Sequence, residues 1–268
     1  MEVSALPHQT HFELNQFVRV TKKNAKRTEI GIISDIHYKN NNTNEEVESL
    51  VVTTRQGYDV VVRPDELCKA FLLVLDLNGV LVARGRGEFI LRPHVDEFIK
   101  FVFQYFPVAV WTSGLERTSI PVIEKVFKDY RDRLLFTYYR GACESRPTPL
   151  NPYGTVKNLQ IIFDQYPESF HAVNTIIIDD SPDKCSHPDI ALCPLPFHLT
   201  EENTHHKDED GLLKIIKVLE EVLKQDSLLP LINAAEERLR LLQEKGLPTE
   251  KSTFSDFFRG AQKKYTKK

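Results

Sequence analysis

No apolar run in this chain approaches the ~20 residues that a helix needs to cross a bilayer. Cysteine is scarce: four residues (Cys68, Cys143, Cys185, Cys193) stand at irregular spacing, which is not a disulfide framework and fits a compartment where thiols stay reduced. Neither sign of charge dominates, since 35 Lys+Arg against 38 Asp+Glu leave a net charge of −3. That balance excludes a protein whose whole surface binds nucleic acid. The N-terminal stretch has no charged segment followed by an apolar one, as a secretory signal would, and it is too acidic and Arg-poor for a mitochondrial presequence. We find no internal repeat and no long low-complexity segment. These absences lead us to expect a soluble protein, cytoplasmic or nuclear, with no membrane partner.

What is present divides into three zones. The 268 residues are 41% hydrophobic, enough for one large domain or for a medium domain plus a small one. In the first zone, Phe17–Val20, Glu29–Ile36, Glu48–Thr54 and Tyr58–Arg63 are rich in Val, Ile and Thr and read as short strands. Turn residues separate them at Lys23-Asn24, Asn40–Asn44 and Gln56-Gly57. This predicts a small antiparallel β-barrel-like, Tudor-like module over residues 10–68. The second zone alternates strands and helices. FLLVLDL, PVAVWT and TIII are apolar runs of the kind that form buried parallel strands, and LLFTYY is a shorter one. Helical faces run through Val95, Phe98, Ile99, Val102, Phe103 and Phe106, with Pro93 placed to start that helix; through Ile120, Ile123, Val126, Phe127 and Tyr130; and through Val156, Leu159, Ile162, Phe163 and Tyr166. The expected fold class is therefore α/β, a Rossmann-like parallel sheet with helices on both faces. Two further amphipathic helices, starting near Leu212 and Leu228, complete a domain over residues 69–243. Residues 244–268 form a basic tail, expected to be flexible.

In an open parallel sheet, ligands sit at the carboxyl ends of the strands, near the switch in strand order. The first buried strand delivers Asp76-Leu77-Asn78-Gly79 there, the second Thr112-Ser113-Gly114, and the last Asp179-Asp180-Ser181. Lys157 precedes that last strand. Carboxylates from two strand ends, a hydroxyl from a third and one Lys are the parts for Mg²⁺-assisted phosphoryl transfer through an aspartyl-phosphate. Trp111 alternates away from Thr112 and reads as a core residue. Cys185, His187 and Cys193 lack the tight paired spacing of zinc ligands and read as packing or surface residues.

Several segments carry a resemblance in the right order: LVLDLNGVLV, LRPHVDEFIKF, VAVWTSG, FTYYRGACE with YGTVKNL, and TIIIDDSPDKC. Together, over about residues 69–200, they resemble the haloacid dehalogenase superfamily, and more narrowly the RNA polymerase C-terminal-domain phosphatases and NLI-interacting-factor-like phosphatases. The resemblance implies that Asp76 is the nucleophile and a Mg²⁺ ligand. It implies that the Asn78 backbone carbonyl and Asp180, with Asp179 behind it, complete the metal site. It further implies that Thr112 and Ser113 contact the phosphoryl group, that Lys157 neutralises charge, and that Arg140 contacts the substrate phosphate. The implied partner is a phosphoserine or phosphothreonine protein or peptide.

One residue departs from the pattern. DLNGV stands where the family has DxDx(T/V), so the second carboxylate is Asn78. An amide cannot cycle a proton near neutral pH, and a positioned general acid–base contributes roughly 10²–10⁴-fold. Three readings are open: a slow phosphatase, an inactive pseudophosphatase that binds proteins or phosphopeptides, or an enzyme partly restored by deamidation at Asn78-Gly79. A separate reading is a nucleic-acid or chromatin reader acting through the N-terminal module. Its Arg19, Lys22, Lys23, Lys26 and Arg27 would form a basic face, and Tyr38 and Tyr58 an aromatic cage. Oligomeric state is not readable.

Overall fold

The computed structural model describes residues 12–21, 29–39, 46–85, 88–149, 151–198, 209–225, 227–228 and 230–231. The Asn40–Asn44 turn, the cluster from Lys22 to Arg27, residues 232–243 of the second C-terminal helix and the basic tail lie outside them.

Five antiparallel strands form the N-terminal sheet: β1 (Phe17–Val20), β2 (Glu29–Tyr38), β3 (Val47–Thr54), β4 (Asp59–Val62) and β5 (Leu67–Lys69), in the order β4-β3-β2-β1-β5. Alternation makes this sheet. In β3, Leu50, Val52 and Thr54 are buried while the residues between them are more exposed, the period-2 signature of a half-buried strand. Gly57 turns β3 into β4 at φ +83°, a left-handed conformation that glycine adopts without a Cβ clash. Val18, Ile33, Leu50, Val52, Val62 and Leu67 close a small core of their own.

The chain then enters the parallel sheet. Its elements are β6 (Leu72–Leu75), the hairpin β7 (Val82–Arg84) and β8 (Phe89–Leu91), α1 (Val95–Tyr105), β9 (Val108–Trp111), α2 (Glu116–Phe127), β10 (Thr137–Tyr138), the hairpin β11 (Glu144–Ser145) and β12 (Thr155–Val156), α3 (Gln160–Gln165), β13 (Thr175–Ile178), β14 (Ala191–Leu192) and α4 (Gly211–Val222). The strand order is β10-β9-β6-β13-β14, all parallel. Every residue of β6, β9 and β13 is buried, which is why these strands read as unbroken apolar runs. β6 is central: the chain builds β9 and β10 on one side, then crosses to β13 and β14 on the other. The switch in direction therefore falls at the carboxyl end of β6. Helix α1 packs against both α2 and α4.

Two elements differ from expectation. Pro93 does not open α1; the chain first turns through His94 at φ +64°, and the helix starts at Val95. The Arg92 amide is bonded to the Leu81 carbonyl at 2.9 Å, so the chain reverses after that contact before it can coil. Helix α3 is shorter than its apolar pattern, because Val156 pairs in β12 and Lys157 bridges to Cys185. Among the described residues no helix is long and apolar enough to cross a membrane.

The two sheets meet through side chains of β1. The Phe17 ring stacks on Phe170 at 5.3 Å, and its amide donates to Ser169 Oγ at 3.0 Å. Arg19 is not part of an exposed basic face. It is buried, donates to the Leu223 carbonyl at 3.1 Å and lies over the Phe71 ring. Nor do Tyr38 and Tyr58 form one cage. Tyr58 bonds Glu29 at the start of β2 and Tyr38 ends the same strand, nine residues and roughly 30 Å away.

Candidate active site

Parallel register places the acids side by side. The Asp76 amide donates to the Ile178 carbonyl at 2.9 Å, continuing the β6–β13 ladder, so Asp76 and Asp179 leave adjacent strand ends together. Lys157 is held like an extra strand residue: its amide donates to the Lys184 carbonyl at 2.7 Å, and the Ser186 amide donates to its carbonyl at 3.1 Å. Its ammonium group donates to Asp76 Oδ1 at 2.8 Å and to Asp179 Oδ2 at 2.5 Å. Lys157 and Asp179 are fully buried, and Asp76 is 4% exposed.

Carboxylate oxygens of Asp76, Asp179 and Asp180 lie within 4.8 Å of one another. The buried Lys157 ammonium and the partly exposed Lys184, 3.9 Å from Asp180 Oδ1, leave three such groups short of one positive charge. Burial pushes the Asp76 carboxyl up to about 6; Lys157 opposes that rise and Asp179 adds to it. Burial acts downward on Lys157, but Asp76 and Asp179 outweigh it and hold the ammonium above its ordinary value. An excess of close, hard oxygen donors is the chemistry that a small divalent cation such as Mg²⁺ takes. The residues present fit such an ion.

The loop after Asp76 is shaped around Asp180. Gly79 stands at φ +81°, and a Cβ built there would lie 2.2 Å from Asp180 Oδ2. No side chain fits between the two without moving the acid. Beneath the loop, the buried Arg92 donates to the Gly79 and Val80 carbonyls at 3.3 and 3.2 Å and to the Leu195 carbonyl at 3.1 Å. It also grips Glu209, just ahead of α4, with contacts of 2.7 and 3.1 Å. The loop that carries Asn78 is thus tied to the segments that bury it.

A cavity of about 470 Å³ opens above these groups. Asp76, Asn78, Thr112, Ser113 and Asp180 line it, as does Arg84. Thr112 is buried, and its Oγ1 accepts from the Gly114 amide at 3.1 Å. Ser113 Oγ accepts from Thr155 Oγ1 at 3.0 Å. Asp179 stands behind: one oxygen takes the Lys157 ammonium and the other the Ser181 amide at 2.9 Å. Arg140 is held outside the cavity lining. Its guanidinium donates to the Ser113 and Tyr153 carbonyls at 3.4 and 2.7 Å, which ties the β11–β12 insert to the end of β9. Cys185 and Cys193 are buried, and burial pushes the Cys185 thiol well up, opposite to what a zinc thiolate needs.

Arg84 is the residue that sequence reasoning missed. Its Nε donates to Asn78 Oδ1 at 2.6 Å, and its Nη2 to the Thr118 carbonyl at 3.2 Å. Guanidinium only donates, so Asn78 must present its carbonyl oxygen to Arg84 and keep its NH₂ group for other partners. The signal was the strand Val82–Arg84 itself, close behind the acidic motif and folded back by its hairpin. The same geometry opposes deamidation. Attack on the Asn78 side chain requires the Gly79 nitrogen, and that N–H is engaged by the Val82 carbonyl at 2.8 Å.

The chain is 27% identical over 168 residues to the ubiquitin-like domain-containing CTD phosphatase 1 of Xenopus tropicalis, a match covering 59% of this chain and 51% of that protein. It is 27% identical over 171 residues to the Homo sapiens protein of the same name, covering 60% and 52%. It thus spans about half the length of these curated relatives. Among solved structures, the fission yeast RNA polymerase II CTD phosphatase Fcp1 bound to beryllium fluoride matches with 12% identity and a TM-score of 0.39, covering 73% of this chain and 71% of that one. A family model for NLI interacting factor-like phosphatases matches residues 71–229, more than half of the chain, and the chain belongs to that family.

Proposed function

We propose that this protein is a slow Mg²⁺-dependent phosphomonoesterase acting on phosphoserine or phosphothreonine in a protein, in the cytoplasm or nucleus. The observation that carries this is the buried Lys157 ammonium between Asp76 and Asp179, with Asp180 alongside. Lys157 occupies Asp76 Oδ1, which leaves the second carboxylate oxygen to attack phosphorus. In the first step that oxygen forms a bond to phosphorus, and the bond from phosphorus to the seryl or threonyl oxygen breaks. The departing oxygen takes its proton from water, because the Asn78 amide supplies none. In the second step water attacks the aspartyl-phosphate and inorganic phosphate leaves. Without a base at position 78 this step is the slower one.

Asp76, Asp180 and the Asn78 backbone carbonyl would hold Mg²⁺, which when bound supplies positive charge to the phosphoryl oxygens. Thr112 and Ser113 orient those oxygens, and Lys157 limits the charge on Asp76. A small aryl phosphate tests this reading, since its good leaving group needs little help from an acid. Hydrolysis should be measurable with Mg²⁺, stop on chelation and be lost in Asp76→Asn. Equal rates for Asp76→Asn and the unchanged protein would refute it.

The bond from Arg84 to Asn78 supports a second reading. With its oxygen committed, the Asn78 amide offers only N–H donors, a group suited to holding a phosphoryl oxygen. In that reading the pocket is a phosphopeptide receptor that performs no transfer. Binding of phosphopeptide without any Asp76-dependent hydrolysis would select it.

A further inference from the structure

A second, larger cavity of about 630 Å³ lies where the N-terminal sheet meets the parallel-sheet domain. Its walls come from the β3–β4 turn and from the end of α1, ahead of β9. It is therefore near the amino end of the parallel sheet, whereas the acids of the active site stand at the carboxyl end.

Three cations line this cleft: Arg55, Lys100 and Arg133. Among the described residues none of the three forms an ion pair. The two guanidinium groups are instead anchored on backbone carbonyls, Arg55 on Phe106 and Arg133 on Phe103, each at 3.1 Å. Arg133 is also stacked over the rings of Tyr130 and Phe103 at 5.2 and 5.4 Å. Glu29 is the one carboxylate among the described lining residues, and it accepts from the Tyr58 hydroxyl at 2.7 Å. Burial, then the neighbouring charge of Arg133, lower the Arg55 guanidinium to about 10. Two like charges held beside each other, without a carboxylate between them, form an arrangement that an anion relieves.

We propose that this cleft binds a phosphorylated serine or threonine of a peptide segment, as a docking site separate from the active site. Guanidinium groups fixed by their carbonyl contacts keep free N–H donors for a phosphate dianion, the planar recognition for which Arg is suited. Three cations against one carboxylate leave a local excess of two positive charges, which matches one phosphate dianion. The aromatic walls and the amides of Gln56 and Gln104 suit the chain that carries it. The choice of a phosphopeptide as ligand rests on the phosphoprotein reading given above; the anion site does not.

Fluorescence anisotropy with a labelled phosphoserine peptide tests the proposal, using the full chain carrying Asp76→Asn to prevent turnover. Adding Arg55→Gln with Arg133→Gln should weaken binding at least tenfold. Lys100→Glu, at an exposed position, should weaken it severalfold without touching a buried contact. The unphosphorylated peptide should not bind. Full affinity in both altered proteins would overturn the proposal, as would equal binding of the unphosphorylated peptide or tighter binding of a single-stranded RNA. Competition by inorganic phosphate at concentrations no higher than those of the peptide would assign the cleft to free phosphate and overturn the peptide claim. Aryl phosphate hydrolysis should be unchanged by Arg55→Gln and Arg133→Gln, so a failed docking site and a failed active-site reading give different results.

Discussion

Asn78→Asp is expected to raise turnover of a phosphoserine peptide by roughly 10²–10⁴-fold, the range that a positioned general acid–base supplies. The gain should be similar on an aryl phosphate, because both substrates pass through the same aspartyl-phosphate, whose hydrolysis limits turnover. The position is already prepared for the change. Its backbone is fixed by the Gly79–Val82 contact and by Arg92 beneath the loop, and its side chain lines the same cavity as Asp76. Arg84, at 2.6 Å from the present amide oxygen, would favour the ionised form of the introduced carboxylate. It would therefore help the base of the second step more than the acid of the first. Pre-steady-state kinetics separates the two: Asn78→Asp should abolish a burst that the unchanged protein shows. If Asn78→Asp turns over no faster on either substrate, then Asn78 is not what limits this protein.

Lys157→Met is expected to destabilise the fold by about 3–5 kcal/mol, the usual loss when one member of a buried charge cluster is removed. Lys157 is 0% exposed, and its ammonium is the buried cation that contacts both Asp76 and Asp179. Methionine fills similar space but leaves two buried carboxylates facing each other. Urea unfolding measures the loss, and a chelator keeps stray cations from masking it. The exposed pair Lys128–Asp96 is the control. It has a similar distance, 2.7 Å, but both side chains are more than half exposed. Lys128→Ala should change stability by less than about 1 kcal/mol. A Lys157→Met protein as stable as the unchanged one would mean that the cluster is not charged as described.

The features legible in the sequence are those set by local forces. FLLVLDL and TIIIDD could be read because a strand buried on both faces must be apolar along its length and tolerates an acid only at its end. The acids therefore marked the strand termini, and parallel pairing brought them together. Arg84 was not legible, because its contact with Asn78 depends on a hairpin folding back over the loop and no periodicity encodes that. Arg19 looked like surface charge, since nothing in β1 announces that Leu223 and Phe71 will cover it. The pattern Val156, Leu159, Ile162 fitted a helix, but strand pairing took its first residue. Arg140 was assigned to the phosphate by resemblance, whereas its guanidinium contacts two main-chain carbonyls of the insert and the β9 end.

If Asp76 attacks phosphorus and Asn78 slows hydrolysis of the resulting aspartyl-phosphate, the phosphoryl group must accumulate on the protein. Mass spectrometry of the protein quenched in acid seconds after mixing with aryl phosphate and Mg²⁺ tests this most directly. The expected result is one phosphoryl group per chain, located on Asp76, released by hydroxylamine, and absent from Asp76→Asn. Aryl phosphate hydrolysis that proceeds with no phosphoryl group on Asp76 at any quench time, in protein where Asn78 is intact, would contradict it.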